Sequence, residues 1–132
     1  MVVAMVAILT TVAMPSYSSY MQRSKISEAV TNLSDMRMKL EQFFQDNRTY
    51  VGACAAGTVA PLPDASAAKY FTYACTGLTA NSYQIVATGN PTAGMANFAY
   101  SVNQANSRTT VSAPSGWTAA TNCWTMKRDG SC

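Results

Sequence analysis

The chain has 132 residues, 48% hydrophobic and 11% charged, with nine Lys plus Arg against six Asp plus Glu and no His. That length holds one core and not two. The missing His removes Ser/His/Asp and Cys/His nucleophile chemistry, His-ligated zinc and HExxH sites. No Gly-rich phosphate loop is present and the mild excess of +3 is spread along the chain, so composition points to neither an enzyme, a cofactor, nor a nucleic-acid footprint.

Met1 to Gln22 carries no charged side chain, and Met1 to Met14 is apolar except for Thr10 and Thr11. Fourteen apolar residues fall short of the roughly twenty that cross a bilayer. A signal peptide would need a basic start and a small-residue cleavage site, both absent here. The expectation is that this sequence begins inside a longer apolar segment. An uncharged rod in water must enter a bilayer or pack against copies of itself, with Val2, Val3, Met5, Val6, Ile8, Leu9, Val12 and Met14 as the buried positions of such a polymer. Pro15 removes the hydrogen bond to the Thr11 carbonyl, and Thr10 and Thr11 add weak helix propensity. These three residues mark an expected interruption, and within a filament part of Ile8 to Met14 is expected to be extended.

From Arg23 the pattern is that of a one-sided helix. Ile26, Val30, Leu33, Met36, Leu40 and Phe43 recur at i, i+3, i+4 and i+7, with charged residues between them. The helix is expected over 23–50, stopping near Asn47 to Gly52. A long loop over 51–69 follows, held by Cys54. Three runs with strand character come next, Tyr70 to Cys75, Ser82 to Thr88 and Asn97 to Val102, with Arg108 to Val111 as a fourth. Short links between them predict an antiparallel meander over about 70–112, and 113–132 forms a C-terminal disulfide loop. The fold class is α+β: a long N-terminal helix, interrupted near Pro15, packed on about four antiparallel strands. Residues 1–22 form a projecting segment for assembly or anchoring, and 23–132 form the head.

Four cysteines, Cys54, Cys75, Cys123 and Cys132, point to an oxidising compartment and two disulfides. Sequence allows three connectivities. Cys54 with Cys75 and Cys123 with Cys132 are preferred because they join near neighbours, and the spacings offer no close zinc-ligand pair. Lys127 and Arg128, beside Asp129, are the candidate surface contact for DNA or an acidic partner, although two cations at a loop tip are more often simply solvated. Tyr17, Tyr20, Phe43, Phe44 and Tyr50 read as packing aromatics rather than an electron path. The sequons at Asn32 and Asn47 fall on the helix, and Glu28, Asp35 and Glu41 read as solvated helix charges.

Val2 to Tyr20, continuing through Gln22-Arg-Ser-Lys-Ile-Ser-Glu-Ala29, resembles the N-terminal helix of type IV pilins. The resemblance is carried by the uncharged run ending in Met14-Pro15, by Tyr17 and Tyr20, and by Arg23, Lys25 and Glu28. Later parts match in layout: the loop after the helix, an antiparallel sheet, and a loop closing at Cys132. It implies a prepilin cleaved by a dedicated peptidase, N-methylated, and held in the inner membrane. From there an ATP-driven machine would polymerise it with copies of itself into an extracellular filament serving adhesion, twitching motility or DNA uptake. The family's docking glutamate would precede Met1, and Ala7 stands near a position where glycine is common. A minor or tip pilin, adhesive or DNA-binding, is the alternative. A type II secretion pseudopilin is a further one, weakened because Asp129 is the only carboxylate after Asp64, too few for a calcium site.

Overall fold

The structure, a computed structural model, describes the backbone from residue 2 to residue 132 and the side chains from Tyr20 onward. Helix α1 spans Val2–Asn47, about 69 Å at 1.5 Å per residue. It is a single element through Thr10, Thr11 and Pro15, so the interruption expected there does not appear in this chain. One proline costs a helix one internal hydrogen bond, and the ladder on either side carries it onward. The eight filament-core positions and the three break residues have side chains outside the described part. No described helix is long and apolar enough to cross a membrane.

α1 ends as its sequence suggests. Arg48 takes a left-handed conformation (φ 59°) and its N–H bonds the Phe44 carbonyl at 2.7 Å, while the Asn47 amide bonds the Phe43 carbonyl at 3.0 Å. Both satisfy carbonyls that the helix end would otherwise leave bare.

The sheet is a four-stranded antiparallel meander, β1 Phe71–Thr76, β2 Gln84–Gly89, β3 Ala99–Asn103 and β4 Arg108–Ser112, in spatial order β1-β2-β3-β4. A short 3₁₀ turn, Pro91–Ala93, links β2 to β3 and was not foreseen. Cross-strand register puts Ile85 opposite Cys75 and Val102, and Ala87 opposite Tyr73 and Tyr100. Alternation then sends these residues to one face. That face packs on α1: Ile26, Leu33, Met36, Leu40 and Phe43 are buried, with Val30 partly so, in one core with Phe71, Ile85, Tyr100, Val102 and Trp124. Each fully buried aliphatic contributes about 1.5–3 kcal/mol.

Polar bonds fix the helix against the sheet. The Glu28 carboxylate accepts from the N–H groups of Lys69 and Tyr70, both at 2.8 Å, at the entry to β1. Glu28 is therefore not the solvated helix charge its position suggested. Asn32 donates to the Ala67 carbonyl (2.8 Å) and the Tyr73 hydroxyl (3.0 Å). Lys25 reaches the Ala93 carbonyl at 2.9 Å across the Tyr70 ring. In the loop before β1, Tyr50 stacks on Phe44, meets Tyr83 edge-on and donates to Glu41 at 3.2 Å. Cys54 is joined to Cys75 and Cys123 to Cys132.

Candidate nucleic-acid interface

The C-terminal segment is irregular, so its order comes from side chains. Thr125 is fully buried and acts as its hub. Its N–H bonds the Thr110 hydroxyl at 2.8 Å, its hydroxyl donates to the Thr118 carbonyl at 3.1 Å and accepts from the Ala120 N–H at 3.0 Å, and its carbonyl accepts from the Tyr100 hydroxyl at 2.9 Å. Trp124 inserts beside it and donates Nε1–H to the Ser101 carbonyl at 2.8 Å, with the Arg108 guanidinium 4.7 Å from the ring centre. Trp117 packs edge-on against Phe98 at 5.0 Å.

The tip is a tight turn built on Asp129. Its carboxylate accepts from the Ser131 hydroxyl at 2.6 Å and the Ser131 N–H at 2.9 Å. These bonds, with help from nearby Lys127, hold the acid below its usual range. The Ser131 carbonyl accepts from Met126 N–H, and Gly130, at φ 91°, sits where a Cβ would meet Thr118 at 3.1 Å. The Thr118 N–H bonds the Arg128 carbonyl at 3.0 Å. Lys127 and Arg128 thus project from a backbone fixed on both sides, and both are exposed.

They do not stand alone. Arg23 of α1 shares one surface pocket with Trp117, Lys127, Arg128 and Asp129, and a second, adjoining pocket with Tyr20, Ser24, Ser27 and Met126. Three cations from two elements, against one carboxylate, therefore line one pocket together with a partly exposed indole. Among the described residues, none of the three cations is held in an ion pair. Cations gathered on one surface can contact phosphates, and an indole edge can meet a sugar or base. Lys127 and Arg128 were singled out in the sequence as a surface contact; Arg23 entered only through the pilin resemblance and Trp117 not at all, because no local pattern links residues so far apart. Among the described residues no group of three or more His, Cys, Asp or Glu could hold a metal.

Residues 15–127 match the family described as "Type IV minor pilin ComP, DNA uptake sequence receptor". The chain belongs to this family. As a type IV minor pilin it is a subunit class of the pilus on the bacterial cell surface, and of the alternatives open in the sequence the family selects the minor pilin. In fold the minor pilin is similar to the Neisseria meningitidis non-core minor pilin PilV, with TM-score 0.59 and 16% identity over 77% of this chain and 96% of that one. At that identity the likeness speaks for the helix-on-sheet architecture alone.

Proposed function

We propose that this minor pilin binds DNA through Arg23, Lys127 and Arg128 around Trp117, while its uncharged N-terminal helix packs with other pilin helices in a filament. The observation that carries the reading is the convergence of three cations from α1 and the C-terminal loop on one indole-lined pocket. The family's description as a DNA uptake sequence receptor supports it from a separate direction. Before assembly the same helix holds the subunit in the inner membrane, where the prepilin peptidase and assembly machine implied by the pilin resemblance act on it.

Binding to a labelled duplex is measured across a salt series. Each lost phosphate contact lowers the slope of log affinity against log salt by about 0.9, so Arg23→Gln/Lys127→Gln/Arg128→Gln is expected to lower it by about 2 to 3. An unchanged affinity and slope in the folded triple variant would overturn the reading.

A further inference from the structure

The basic cluster has a position as well as a composition. Arg23 directly follows residues 1 to 22, none of which carries a charge. Helix rise puts it only about 1.5 Å along the axis beyond Gln22, and Tyr20 about 4.5 Å before it. The pocket walls put Lys127 and Arg128 beside Arg23, at the end of the head where α1 leaves it. Just on the apolar side, Tyr20 is 67% and Met21 40% exposed, and neither is covered by the head.

From the helix outward the order is therefore uncharged run, exposed aromatic, cation cluster. A bilayer presents the matching order of hydrocarbon, interface and phosphate, with Tyr at the interface and Lys or Arg at the headgroups. We infer that, in the subunit held by its N-terminal helix in a membrane, Arg23, Lys127 and Arg128 dock on anionic phospholipid headgroups. Lipid and nucleic-acid phosphates offer the same singly charged diester oxygens to the same guanidinium and ammonium groups. Occupation by one excludes the other, so a membrane-held subunit keeps its DNA site covered and uncovers it on leaving the bilayer. This inference rests on the membrane-held state and on the three cations, while docking itself does not require that DNA be the later ligand.

The full chain is reconstituted in nanodiscs of phosphatidylcholine alone or with phosphatidylglycerol, and amide hydrogen exchange is followed over residues 123–132. Docking slows exchange of this segment at least about ten-fold in the anionic discs, the order expected when two or three cations meet an anionic surface. Added salt removes that protection, since the contact is screened. Arg23→Gln/Lys127→Gln/Arg128→Gln abolishes it. Arg48→Gln, a cation at the other end of the helical part of the head, leaves it intact. Equal exchange in the two discs, protection indifferent to salt, or loss with Arg48→Gln equal to that of the triple variant each overturns the inference. If the triple variant misfolds, the salt series on the unaltered chain still decides. Duplex binding by the detergent-solubilised chain is measured beside it: no binding there sinks the DNA reading and leaves lipid docking standing on its own exchange data.

Discussion

Asp129 does two opposed things. Its carboxylate ties Ser131 into the turn that presents Lys127 and Arg128, and its charge cancels part of their field. Asp129→Asn keeps an oxygen for the Ser131 N–H and removes the charge. Duplex affinity is expected to rise about two- to five-fold, the range for one exposed charge contact, in a fluorescence anisotropy titration. A fall would mean that the turn, rather than the charge, dominates. Because ordinary acidification protonates this residue only below the usual carboxylate range, the hydrogen bonds of the turn persist through mild acid and weaken as pH falls through its lowered pKa.

Between elements, the head depends on how α1 is attached to the sheet. Leu33 is fully buried in the middle of the stripe, so Leu33→Ala is expected to cost about 2–5 kcal/mol in denaturant unfolding, with a cavity left behind. Glu28→Gln leaves one acceptor where two backbone N–H groups now share a carboxylate, and is expected to cost about 1–3 kcal/mol by the same measurement. A cost near zero would show that water replaces the clamp. The contrast between these residues explains what could be read in advance. Leu33 and its partners were legible because helical period and burial are the same fact, and the four strands were legible because alternation and short links leave a meander as the simplest path. Glu28 was misjudged since its partners lie some forty residues away, in backbone groups that carry no sequence signal. The joining of Arg23 and Trp117 to Lys127 and Arg128 escaped for the same reason: the pocket is a product of tertiary folding.

Taken whole, the head carries several tyrosines whose phenols are kept neutral. Burial pushes Tyr73 up to about 12 and raises Tyr83 and Tyr100 further. A raised folded pKa means that the native state holds protons the unfolded chain releases, so stability is complete below the ordinary value of 10.0 and is lost as pH rises toward the folded values. Thermal melting is expected to be flat through neutral pH and to fall steeply between about pH 10 and 12. At the other end of the molecule, Ile8→Lys would set a charge in the uncharged run, and its expected effect is loss of incorporation into pili, scored by immunogold labelling of filaments. Normal labelling would count against helix packing as the means of assembly.

The meander also sets an order of events. Its strands pair only with neighbours in sequence, so β1 to β4 can zip locally once each is made, whereas the stripe on α1 must wait for β2 and β3. At about 5–20 residues per second, the stretch from Asn47 to Asn103 takes roughly 3 to 11 seconds to synthesise. For that interval Ile26, Leu33, Met36 and Leu40 form a finished helix face with no sheet to cover it. A newborn chain is therefore most prone to wrong association through the same residues that later hold it together, and a holding factor that grips amphipathic helices would matter most in those seconds.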